Sequence, residues 1–153
     1  MYTGENERMS KANKKTSGIL GDTQTPISAD HIRKVFIRYG AAQTAGDIDG
    51  ILSLFAEEAV LRDPANAPEH RGKHALRVFF EAGKVAAGGA IEMKLEGGVR
   101  IAGNEGAAAY IARTINNTPV FRVETLDVMT FNESGLITRM VAYWGPDNFT
   151  QES

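Results

Sequence analysis

The chain has 153 residues, 42% of them hydrophobic, enough for one domain with a buried core. A formal net charge of −2 gives no electrostatic reason to bind nucleic acid or an anionic membrane surface. The absence of cysteine excludes disulfides and thiolate chemistry, and no apolar run approaches the roughly 20 residues that span a bilayer.

Residues 1–25 are polar, and they read as a flexible tail ahead of a single domain at 26–153. No apolar signal segment opens the sequence, so a cytoplasmic location is expected. Order is predicted to begin at Thr25-Pro26, a capping residue and a proline suited to a first helical turn. Ile32, Val35, Phe36 and Tyr39 then recur at helical spacing, which puts Tyr39 on a buried stripe. Gly46 ends this helix and Asp47 caps a second, short one carrying Ile48, Ile51, Leu52 and Phe55. Ala59–Asp63 reads as a short strand stopped by Pro64, and Pro64–Gly72 as a loop. Leu76, Phe79 and Phe80 mark a third helix ending near Gly83.

From Ile91 onward the pattern changes to strands. Turn signals lie at Gly97-Gly98, Gly103–Gly106, Asn116-Asn117 and Asn132–Gly135. Helices first and strands after predict an α+β architecture. A curved, mostly antiparallel sheet would pack with three N-terminal helices into a cone around an apolar pocket.

The segment Phe121–Phe131 is rich in β-branched and aromatic residues and reads as a strand. Alternation puts Asp127 on one face with Phe121, Val123, Thr125, Met129 and Phe131. A lone carboxyl there must pair, stay protonated, or mark a site. Tyr39 and Asp63 are also placed to point inward. Each of the three has an ordinary reading: a satisfied core tyrosine, a turn aspartate before proline, half of a buried ion pair. Together they suit proton abstraction beside a carbonyl. One carboxylate serves as base, while a phenol and a protonated carboxyl donate to the enolate oxygen. The three histidines, His31, His70 and His74, show no metal-ligand spacing, so no metal or other cofactor is expected.

The motifs Ile37-Arg-Tyr39, Ala45-Gly-Asp-Ile-Asp-Gly50, Phe55-Ala-Glu-Glu-Ala59, Arg62-Asp-Pro64, Leu126-Asp-Val-Met-Thr-Phe131 and Ala142-Tyr-Trp144 occur in one order. Over about residues 30–150 the chain resembles the Δ5-3-ketosteroid isomerases, within the wider NTF2-like or SnoaL-like superfamily. The resemblance implies a steroid delta-isomerase that moves a proton from C4 to C6 of a 3-oxo-Δ5-steroid. Asp63 would be the base. Tyr39 and an Asp127 kept neutral at pH 7 would form the oxyanion hole. Met140 and Trp144 would line the apolar pocket with Val123, Thr125 and Tyr110. Phe55 and Phe80 would line it too, where relatives carry tyrosines that hydrogen-bond the oxyanion tyrosine. Tyr39 is therefore expected to lack that support, and Asp127 to carry a larger share of the oxyanion.

The implied partner is a small apolar ketone, a 3-oxosteroid by this resemblance. A homodimer would form through the outer sheet face that carries Val120, Leu126 and Val128. Three other readings keep the fold. One is a non-catalytic binder of a sterol or other apolar ligand. Another is a dehydratase using a pocket histidine with an aspartate. The third is an epoxide hydrolase using an Asp-Arg-Asp set with Arg113 or Arg122. Arg122 has parity opposite to Asp127, which argues against the last.

Overall fold

In the computed structural model, residues 27–152 are described; the tail and the Thr25-Pro26 start lie outside them. Ser28 caps the first helix, its hydroxyl accepting from His31 N at 3.0 Å. This helix, α1 (Ala29–Ala45), buries the stripe Ile32, Val35, Phe36 and Tyr39. Gly46 ends it with φ +64°, a conformation that favours glycine. Asp47 then caps α2 (Ile48–Leu52), accepting from Gly50 N at 2.9 Å.

Phe55 is not part of that second helix. It opens strand β1 (Phe55–Arg62) and pairs with Ile137. The four-residue step from Ile51 to Phe55 suits a helix, but the cross-strand partner decides otherwise. The expected loop at Pro64–Gly72 contains a two-residue strand, β2 (His70–Arg71), paired antiparallel with β1. The third helix, α3 (Lys73–Ala86), runs past Gly83. At and just past its end, the amides of Asn117 and Asn116 donate to Ala86 O and Gly88 O, both at 3.2 Å.

The remaining strands are β3 (Ile91–Ala102), β4 (Glu105–Thr114), β5 (Val120–Phe131), β6 (Ile137–Tyr143) and β7 (Phe149–Glu152). They form one seven-stranded sheet in the order β2-β1-β6-β5-β4-β3. All pairs are antiparallel except β1 with β6. Strands β6 and β7 share one edge of β5: β6 pairs with Leu126–Phe131, and β7 pairs with Val120–Val123. Gly97-Gly98 is not a turn. It sits inside β3, where the register to β4 shifts between Glu96 and Arg100, so the glycines bend a strand instead of ending it.

Helix α1 crosses the concave face of the sheet. A Cβ on Gly106 would lie 2.8 Å from both Ile32 and Phe36, so glycine permits this close approach. Around that crossing lies a core of Phe36, Phe55, Leu61, Met129, Phe131 and Ile137. No helix among the described residues is long and apolar enough to cross a membrane.

Candidate active site

Helices α1 and α3 and the sheet converge on one cavity of about 200 Å³. Helix α1 contributes Tyr39 and Gln43. Asp63 follows the end of β1, Asp127 comes from the middle of β5, and Trp144 follows the end of β6. Apolar side chains such as Phe79, Phe80, Met93 and Val123 make up much of the wall. The sequence-predicted residues Tyr39, Asp63, Phe80, Val123, Thr125, Asp127 and Trp144 all reach this cavity.

Three expected wall residues stand behind it. Phe55 is fully buried and packs on Phe80, ring centroids 5.9 Å apart. Met140 lies in the core at 0% exposure. Tyr110 faces α1, its hydroxyl donating to Phe36 O at 2.6 Å. Met140, Ala142 and Trp144 have the same parity, but Ala142 and Trp144 meet the cavity while Met140 lies in the core. Parity gives the face of a strand and not the depth along it.

Asp127 is 2% exposed. Its cross-strand neighbours are Ala108 on β4 and Ala142 on β6, small residues that leave it space and offer no charge. It forms no ion pair among the described residues, so the buried-pair reading fails. Its hydrogen bond is with Thr125, whose hydroxyl donates to Oδ1 at 3.0 Å. Burial first, then the nearby charge of Asp63, pushes the Asp127 carboxyl up to about 8, against the Thr125 bond. At pH 7 a carboxyl titrating near 8 is protonated roughly ten to one. With Oδ1 accepting from Thr125, Oδ2 is the oxygen left to hold the proton and donate it.

Asp63 is differently placed. Trp144 Nε1 donates to its Oδ1 at 2.6 Å. Burial raises the Asp63 pKa, while the Trp144 bond and the nearby His70 oppose the rise. The two carboxyls thus sit in one cavity with different support: an N–H donor and a histidine at Asp63, a hydroxyl and apolar walls at Asp127. Such divergence separates a base from an acid.

Tyr39 is 2% exposed, and its phenol pKa is raised well above the ordinary value, by burial first and then by Asp127 and Asp63. It does not lack a supporting donor. Gln43 Nε2 donates to its hydroxyl at 3.1 Å. Sequence reading missed Gln43, although its place four residues after Tyr39 on one helix face was available as a signal.

The arginines that an epoxide-hydrolase set would need lie elsewhere. Arg113 and Arg122 are cross-strand neighbours, and they pair with Glu152 and Glu124 respectively. Among the described residues, no arginine or histidine lines the cavity.

A curved, mostly antiparallel sheet closed by three helices over a cavity with inward acids defines a class, the NTF2-like α+β folds. The chain belongs to the SnoaL-like domain family, whose description matches residues 36–140. It is 33% identical over 115 residues to a steroid delta-isomerase of Nocardioides simplex, covering 75% of this chain and 90% of that protein. In three dimensions it is similar to SalBIII, an epoxide hydrolase/cyclase-like enzyme with a role in pyran ring formation in the polyether salinomycin. That likeness has a TM-score of 0.72 at 24% identity and covers 82% of this chain and 100% of the other. At that identity it bears on the fold alone.

Proposed function

We propose that the protein is a steroid delta-isomerase that converts a 3-oxo-Δ5-steroid to its Δ4 isomer by intramolecular proton transfer. Asp63, ionised, takes a proton from C4 and becomes a carboxylic acid. The C4–H electron pair forms the dienolate, with negative charge on the C3 oxygen. Tyr39 and protonated Asp127 donate to that oxygen. Asp63 returns its proton to C6, the double bond moves into conjugation, and the carboxylate is restored. Atoms and charge balance without a co-reactant.

The observation that carries this reading is the pairing of two unlike aspartates with a phenol in one apolar cavity. An acid titrating near 8 can donate at neutral pH where an ordinary carboxylate only accepts. The relative from Nocardioides simplex supports the same reaction class. The test is turnover of 5-androstene-3,17-dione, followed by the ultraviolet absorbance of the conjugated enone. Turnover by the wild type and its loss in Asp63→Asn support the reading. Tight steroid binding without turnover would make the protein a carrier instead.

The outer face of the sheet fits a second copy of the chain. Leu126 and Tyr143 are cross-strand neighbours on that face, 44% and 51% exposed. A homodimer through this face predicts a doubled mass in sedimentation, reduced to the monomer by Leu126→Lys.

A further inference from the structure

Tyr39 is surrounded by aromatic groups that give its oxygen no proton. Phe80 meets the ring edge-on with centroids 6.3 Å apart. Tyr110 lies 6.0 Å away, but its hydroxyl donates to the Phe36 carbonyl instead. Among the described residues, the donor that reaches the Tyr39 oxygen is Gln43 Nε2, at 3.1 Å. Gln43 stands four residues further along α1, is part-buried, and lines the cavity.

A phenol oxygen has one proton to give and lone pairs to accept with. When Gln43 donates to a lone pair, the Tyr39 proton is left for another partner, and the cavity is where an acceptor can enter. The same bond acts on acidity. Burial, Asp127, Asp63 and Tyr110 all make Tyr39 hold its proton more tightly, and Gln43 alone works the other way.

We propose that Gln43 is a positioning residue that holds the Tyr39 hydroxyl as a donor facing the cavity. It supplies from the same helix the support that Phe55 and Phe80, lacking a donor, cannot. Its kinetic consequence rests on the isomerase reading; the hydrogen bond itself does not.

Two variants and two readouts test this. Methionine and glutamate are unbranched and helix-competent, so both variants keep α1. Gln43→Met removes the donor and lowers kcat about tenfold with KM little changed, the size of one neutral hydrogen bond. Gln43→Glu presents an acceptor that draws the Tyr39 proton out of the cavity, and it slows the reaction further. In a Tyr39→Phe background, Gln43→Met should cost nothing more, because the two act as one unit. An equal cost in both backgrounds overturns the proposal. The second readout needs no substrate. With tyrosine labelled at Cζ, Gln43→Met should move the Tyr39 carbon resonance and leave Tyr110 unmoved. A stationary Tyr39 resonance overturns the proposal. If the wild type shows no turnover, the isomerase reading fails while this measurement still decides the role of Gln43.

Discussion

Trp144 Nε1 donates to Asp63 Oδ1 across 2.6 Å, joining positions 81 residues apart in sequence. Each lies just beyond the end of a strand, and β1 and β6 are the parallel pair of the sheet. Because the strands run the same way, their ends meet at one rim of the cone. The carboxyl just past the end of β1 therefore receives its donor from just past the end of β6.

Trp144→Phe keeps the aromatic wall and removes this donor. An N–H bonded to a carboxylate favours the charged form, so its loss raises the Asp63 pKa further. As the proposed base, Asp63 must be ionised to act. The acid limb of kcat/KM should therefore move to higher pH, with activity falling more at pH 5 than at pH 7. An unmoved limb in the pH–rate profile would refute the coupling.

Asp63→Asn should remove the base without changing size. A loss of roughly 10²–10⁴-fold in kcat is expected, the usual contribution of general base catalysis. Circular dichroism should show the fold unchanged.

As the proposed oxyanion donor, Asp127 should set the alkaline limb. As pH rises past about 8, its carboxyl loses the proton it donates, and kcat/KM should fall there. Asp127→Asn still donates but does not titrate, so that limb should disappear. Asp127→Ala removes the donor, and a loss of about 10²–10³-fold in kcat is expected.

The same carboxyl shapes stability. An unfolded aspartate ionises near pH 4, while folded Asp127 keeps its proton to about 8. Between those values the folded state binds more protons, so raising the pH destabilises it. The raised pKa of Asp63 adds with the same sign. The wild type should lose on the order of a few kcal/mol between pH 5 and pH 8.5, read from urea midpoints. Asp127→Asn should flatten that dependence.

Gly106→Ala tests the packing of α1 on the sheet. Its new Cβ would lie 2.8 Å from Ile32 and Phe36, both fully buried with little freedom to move. A cost of about 1–3 kcal/mol is expected by chemical denaturation.

The helices and the inward face of β5 were legible in the sequence because they are periodic. Ile32, Val35, Phe36 and Tyr39 repeat with the helix, and Asp127 alternates with Val123, Thr125 and Met129. Glycine was the less reliable mark. Gly46 ended a helix as expected, Gly83 did not end one, and Gly97-Gly98 bent a strand where a turn was expected. The backbone each glycine adopts marks the difference: Gly46 and Gly97 take positive φ, +64° and +80°, whereas Gly83 stays within the helix.

By itself the sequence determined which side chains face inward, since local geometry dictates that within each element. It therefore brought out Tyr39, Asp63 and Asp127. Only the tertiary structure decided how deep each lies and what it touches. It set Phe55, Tyr110 and Met140 behind the wall, gave Asp127 small uncharged neighbours in place of a cation, and gave Tyr39 and Asp63 their donors from Gln43 and Trp144. The reason is physical. Facing is fixed by a residue's own backbone, whereas burial and hydrogen bonding are fixed by other elements, and those set the protonation state on which the chemistry depends.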